Sequence, residues 1–155
     1  MKVNIDVSGL NGQKLTGVGV YVVNLIKALQ AIKEIKLSAS YRISRIKYRK
    51  AIQEKVDISL RVPYNPLISN FLPKPYSIFH GPDYWIPNTK LVKKVLTIHD
   101  LSVFHDGLWS KEFADYGKMR TAQMLTKHKP DQIIVVSDFV KGELLNRFPT
   151  FEEIT

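Results

Sequence analysis

The run Lys94-Val95-Leu96-Thr97-Ile98-His99-Asp100-Leu101-Ser102 constrains the fold more than any other part of this chain. An apolar, β-branched stretch that stops abruptly at a histidine and an aspartate reads as a strand buried on both faces. Such strands belong to parallel sheets covered by helices on either side. In an open α/β sheet, ligands bind outside the carboxyl ends of the strands. His99 and Asp100 would therefore stand at the rim where chemistry is done. A strand that merely ends in polar loop residues gives the same string, so the rest of the chain has to decide.

The rest alternates in the same manner. Val3 to Val7 reads as a short strand, followed by a glycine-rich loop from Ser8 to Gly19. A helix over Val18 to Ala31 carries Val22, Leu25, Ile26 and Leu29 at helical spacing. Leu37 to Ile43 reads as a strand, Ser44 to Val56 as a helix, and Ile58 to Val62 as a third strand ended by Pro63. The prolines between Tyr64 and Pro75 give no clear pattern. Strands follow at Tyr76 to Phe79 and Lys93 to Ile98. A helix runs from a Ser110 cap to about Lys127, with acids early and bases late, as the helix dipole favours. Gln132 to Val136 is a last buried strand, and Ser137 or Asp138 caps a helix reaching Phe148. Alternation of this kind predicts a Rossmann-like α/β domain: one parallel sheet with helices on both faces, spanning residues 1–155.

With 155 residues, of which 45% are hydrophobic, the chain has enough apolar material for one ordinary core. It has no cysteine, which removes thiol nucleophiles, disulfides and zinc–thiolate sites and suits a reducing cytosol. Its start lacks the basic-then-apolar pattern of a leader, and no run approaches the ~20 apolar residues that span a bilayer. The cytoplasm is the expected location. The net charge of +9 points to an anionic partner. Much of the excess lies between Ile35 and Gln53, where Lys36, Arg42, Arg45, Lys47, Arg49 and Lys50 occur without an acid.

Two stretches besides His99-Asp100 carry chemistry. Thr16-Gly17-Val18-Gly19 opens the first helix, where free N–H groups and small residues suit a phosphate. It is not a dinucleotide fingerprint: Val22 holds the third glycine position, and no acid ends the second strand. Phe79-His80-Gly81-Pro82-Asp83-Tyr84-Trp85 places a histidine, an acid and aromatic rings after a strand, a combination that suits stacking on a sugar. A structured loop whose rings cap the core would look the same. No His/Asp/Glu spacing makes a persuasive metal site. There is neither a Gly-x-Ser-x-Gly elbow nor a P-loop lysine pattern.

Taken in order, Thr16-Gly17-Val18-Gly19-Val20-Tyr21-Val22-Val23-Asn24-Leu25, Phe79 to Tyr84, Val95 to Ser102 and Asp131-Gln132-Ile133-Ile134-Val135-Val136-Ser137-Asp138-Phe139 resemble the amino-terminal half of GT-B glycosyltransferases, specifically the retaining, mannosyltransferase-like group called family four. The likeness covers nearly the whole chain. It implies transfer of a hexosyl group, mannosyl for example, from a nucleotide sugar to a hydroxyl of a glycan or lipid-linked acceptor, with retention and without a metal or other cofactor.

Carried over by the same resemblance, Gly17, Val18 and Gly19 would face the donor phosphate and the acceptor. His99 would hydrogen-bond a donor sugar hydroxyl, and Asp100 would order the loop or meet the acceptor. His80, Asp83 and Tyr84 would line the acceptor cleft. Many relatives have an arginine where this chain has Val20, which weakens any role for that side chain toward an anion. Relatives continue into a second Rossmann-like half that binds the nucleotide, with an Arg/Lys pair and two glutamates eight positions apart. The expectation is thus an acceptor-side half, inactive alone, whose partner is that carboxy-terminal domain. The basic span, with Arg45, Lys47, Arg49 and Lys50, would touch an anionic surface such as the inner face of a membrane. A competing reading is a non-catalytic basic module for anionic lipid or nucleic acid. No recognisable nucleic-acid-reading motif accompanies the charge.

Overall fold

Five short strands pair side by side as the alternation requires. The structure, a computed structural model, describes residues 1–12, 14–60, 64 and 74–155. Its strands are β1 (Lys2–Asp6), β2 (Lys36–Ser40), β3 (Ile78–Gly81), β4 (Lys93–Ile98) and β5 (Gln132–Val135). They form one sheet in the order β2-β1-β3-β4-β5, and every pairing is parallel. The fold is Rossmann-like α/β, as the sequence predicts. Leu60 and Tyr64 bridge in parallel to Ala39 and Arg42 beside β2. The expected third strand, Ile58–Val62, survives among the described residues only as this contact; Arg61 and Val62 lie outside them.

Helices α1 (Gly17–Gln30), α3 (Lys111–Gln123) and α4 (Asp138–Arg147) each start at a side-chain cap. Thr16, Ser110 and Ser137 accept from the N–H groups of Gly19, Phe113 and Val140. Each satisfies one donor that a helix start leaves unbonded, worth about 1 kcal/mol. A π-turn, Met124–His128, extends α3 to the expected end. The crossovers through α1 and α3 run in opposite directions across the sheet. Right-handed connections then put these helices on opposite faces.

The helix expected over Ser44 to Val56 does not form as one element. A 3-10 segment, Ile43–Tyr48, precedes a short helix α2 (Arg49–Gln53). Neither piece has a side-chain cap or an acid in its first turn. Cations crowd where a helix dipole wants negative charge, so little favours a continuous helix here.

The core divides along the chain. Val3, Ile5, Val7, Leu10, Val22, Ile26, Ala39, Tyr41, Ile52 and Val56 pack together under β1 and β2. Phe79, Trp85, Ile86, Leu96, Ile98, Leu125, Ile133 and Leu144 pack around β3, β4 and β5. Side chains such as Leu96 and Ile98, both 1% exposed, contribute roughly 1.5–3 kcal/mol each by burial. Gly81 ends β3 where the chain folds back tightly: a Cβ there would lie 1.7 Å from the carbonyl oxygen of Trp85. No other residue fits that approach.

Candidate functional site

Strand order reverses between β1, which leads to β2 on one side, and β3, which leads to β4 on the other. A crevice opens outside the carboxyl ends at such a switch point. The loops after β1 and β3 meet there, for a Cβ added to Gly9 would lie 3.2 Å from Asp83 Oδ2. β4 delivers His99 and Asp100 to the same rim, immediately after its last residue, Ile98.

His99 is half-buried. Its Nε2 lies 2.8 Å from the carbonyl oxygen of Pro82. A carbonyl can only accept, so Nε2 carries the proton of this bond. Tyr21, in the second turn of α1, packs edge-on against the imidazole with centroids 5.0 Å apart. Tyr84 flanks the ring at 6.2 Å. The start of α1, Tyr84 and His99 thus converge on one edge of the sheet.

Tyr84 holds a left-handed backbone, φ 49°, which costs a non-glycine residue on the order of 1–2 kcal/mol. Its hydroxyl accepts from Asp100 N at 2.6 Å and donates to Asp100 O at 2.8 Å. One phenol thereby ties the β3 loop to the β4 loop. Burial pushes the Tyr84 phenol above its usual value, and it stays protonated. The Asp100 carboxylate accepts from Ser102 N at 2.9 Å. Partial burial works to raise its pKa, but the bonds from Ser102 and Tyr84 and the nearby His99 outweigh this and hold it below the usual range. Asp100 is therefore an ionised, loop-ordering carboxylate.

His80, expected in the cleft wall, lies beneath it instead. β3 runs two residues further than the sequence suggests, so His80 is a strand residue, 5% exposed. Its Nε2 lies 2.8 Å from Thr97 Oγ1, which in turn lies 3.3 Å from the Tyr21 hydroxyl. Burial lowers the His80 pKa to about 4, so the ring is neutral at pH 7. The chain His80–Thr97–Tyr21 supports the ring that packs on His99.

The glycine loop is also only partly open. Gly19 is buried: a Cβ there would lie 3.1 Å from Leu15 Cδ2 and 3.5 Å from Leu10 Cδ2, and its N–H is taken by Thr16. Its small size serves packing. Val18 packs against the β1–β2 core. Gly17 faces open space and is the residue of the three that a ligand can approach without hindrance.

Asp6, at the end of β1, was not singled out by sequence reasoning. It accepts from Ser8 N at 2.9 Å, Ser8 Oγ at 2.5 Å and the Tyr64 hydroxyl at 3.2 Å. Burial raises its pKa despite these bonds. Tyr64 stacks on Trp85, 17° from parallel, so the loops after β1 and β3 share a floor.

Beside this rim lies a cleft of about 430 Å³. Asp83, Tyr84 and Asp100 form one wall, Trp109, Phe113 and Tyr116 from α3 and its approach form another, and Arg42, Arg45 and Arg120 also line it. Arg45 thus faces the cleft rather than the outer surface shared by Lys47, Arg49 and Lys50, all three exposed. Arg120 carried no signal by itself; its spacing from Phe113 and Tyr116 on one face of α3 could have grouped the three, and Trp109 lies just before the Ser110 cap. A larger cavity, about 500 Å³, opens at the amino end of β3 and β4 among Lys90, Lys93, Lys94 and Lys129. Lys93 is paired to Asp131 at 2.8 Å, and Lys94 Nζ donates to the His128 carbonyl. Those two cations serve the structure, and the carboxyl-edge cleft is where the convergent polar groups lie.

No family model, curated protein or solved structure matches the chain. Among the described residues no cluster of three or more metal-binding side chains forms, and no helix is long and apolar enough to cross a membrane.

Proposed function

We propose that this protein is the acceptor-side half of a nucleotide-sugar-dependent, retaining glycosyltransferase that moves a hexosyl group to a hydroxyl of a glycan or lipid-linked acceptor. The observation that carries the reading is the meeting of His99, Asp100, Tyr84 and the start of α1 at the switch point of a parallel sheet. The order of the motifs along the chain supports it.

Each group then has a role set by its geometry. His99 Nδ1 accepts from a hydroxyl of the donor sugar, while Pro82 and Tyr21 fix the ring. The helix start at Gly17 meets negative charge developing on the departing diphosphate through backbone N–H groups and the helix dipole. Asp83 and Tyr84 contact the acceptor, and Trp109 offers a face for a sugar ring. Asp100 orders the loop that carries His99. A second Rossmann-like domain supplies the nucleotide pocket and closes the cleft, and no metal takes part. Ile43 and Ile46, 47% and 56% exposed, stand with Lys47, Arg49 and Lys50. That mixture suits a peripheral contact with anionic lipid at the cytoplasmic face.

Isothermal titration and a transfer assay test the reading. The 155-residue chain alone should show no turnover and no saturable micromolar binding of nucleotide sugars. The reading frame beyond the Thr155 codon, or a partner gene, should encode a nucleotide-binding Rossmann-like domain that restores transfer when added. Turnover by this chain alone, or a stop codon with no partner gene, overturns the reading.

A further inference from the structure

Arg42, Arg45 and Arg120 line one cleft, yet none forms a salt bridge with a described residue. The Nε atoms of Arg42 and Arg45 are buried and have no hydrogen-bond partner among the described residues. A buried donor left unbonded costs about 1–3 kcal/mol, more when it is charged. Arg42, Tyr116 and Arg120 also line an adjoining hollow of about 260 Å³, so these three side chains stand together on the ridge between the two spaces. Two of the acids nearby are already engaged: Asp100 accepts from Ser102 N, and Asp6 accepts from Ser8 and Tyr64 and lies within electrostatic reach of Arg42. Asp83 lines the same cleft, near Gly9. Beside the cations, Trp109 and Tyr116 are 49% and 58% exposed.

We propose that this cleft binds a phosphorylated ligand, with the phosphate held by Arg42, Arg45 and Arg120 and the adjoining ring or chain laid against Trp109 and Tyr116. Guanidinium forks match phosphate oxygens two at a time, which surface lysines do not. Aromatic faces beside the anion select a ligand with an apolar or ring-shaped body next to its phosphate. The assignment of this ligand as the glycosyl acceptor rests on the reading given above; the phosphate site itself does not.

The test titrates the protein with glucose 1-phosphate and, separately, with glucose, at low salt. Glucose 1-phosphate should bind saturably at one site, and glucose at least roughly tenfold more weakly. Arg45→Gln and Arg120→Gln should each weaken glucose 1-phosphate by roughly tenfold or more, as the loss of a charged hydrogen-bond donor does. Arg45→Lys, which keeps the charge and loses the fork, should fall between. The pair Lys33→Gln/Lys36→Gln, exposed at the amino end of β2, should leave the affinity unchanged. Melting curves confirm that each variant is folded; if Arg120→Gln does not fold, Arg45→Gln and Arg45→Lys decide.

Co-sedimentation with phosphatidic acid vesicles, against phosphatidylcholine alone, separates the sources. Loss of vesicle binding in the arginine variants assigns the phosphate to a lipid headgroup. Loss of glucose 1-phosphate binding alone assigns it to a soluble ligand. Equal affinity for glucose and glucose 1-phosphate, or folded arginine variants that bind as the parent does, overturns the proposal. Transfer to a phosphorylated acceptor that Arg45→Gln does not slow sinks the phosphate site and leaves the transferase reading standing. Arginine-dependent phosphate binding without any nucleotide-binding partner domain does the reverse.

Discussion

Protonating His80 should loosen both the fold and the site. Its ring is buried and bonded to Thr97, and its pKa lies near 4 rather than the ordinary 6.5. The unfolded chain takes up a proton as the pH falls through about 6.5, whereas the folded chain resists until about 4. The stabilisation from keeping His80 neutral is therefore complete above the unfolded value and is lost as the pH drops toward the folded one. Linkage from these two values gives a loss of about 2 kcal/mol between pH 7 and pH 5, and about 3 kcal/mol by pH 4. Other groups titrate too: burial lowers the His128 pKa and raises that of Asp6. Comparison with His80→Gln cancels them. Urea unfolding of both proteins at pH 7, 6, 5 and 4.5 should show the stability gap between them changing by roughly 2 kcal/mol from pH 7 to pH 5. Parallel stability curves would refute the argument that a neutral, buried His80 supports the Thr97–Tyr21 chain.

Three further outcomes follow from the same geometry. Gly81→Ala forces a Cβ against the Trp85 carbonyl and should cost at least about 1–3 kcal/mol in chemical denaturation, or abolish soluble expression. His99→Ala, assayed together with the nucleotide-binding domain, should lower turnover about 10- to 150-fold, the worth of roughly 1–3 kcal/mol, with little change in melting temperature. Changing Lys47, Arg49 and Lys50 to Glu should abolish co-sedimentation with anionic vesicles; binding that survives, or that needs no anionic lipid, counts against a membrane role.

What the sequence shows of this fold depends on how each element is held. β4, Lys93–Ile98, was legible to the residue because its run from Val95 to Ile98 is largely apolar and β-branched, as a strand covered on both faces requires. The caps at Ser110 and Ser137 were legible because a cap acts locally, whereas Thr16 was read only as part of the loop that opens α1. His80 was misplaced for the opposite reason. The end of β3 is set by pairing with β1 and β4, which no short window contains, and two added residues turn a loop histidine into a buried one. The basic span failed through its period. Read as an α-helix, Arg45 and Arg49 share a face; in a 3-10 turn, residues three apart align, and Arg42 and Arg45 turn together into the cleft while Lys47 remains outside. That the Nε atoms of Arg42 and Arg45 find no partner among the described residues is a property of three-dimensional surroundings and leaves no mark in the string.

The division of the core along the chain has a consequence for how the protein is made. The buried residues of one apolar cluster all lie at or before Val56, and those of the other all lie at or after Phe79. During synthesis the first can collapse before the second has left the ribosome, as a βαβ unit closed by local contacts. What it lacks until then is a neighbour for one side of β1, because Val3 must wait for Ile78. An interior strand of the finished sheet, β1, is thus a bare edge in the nascent chain, open to pairing with any other extended segment. Seating β3 closes that edge and, in the same step, brings Gly81 and Tyr84 to the rim. The event that protects the chain from aggregation is also the one that assembles its site.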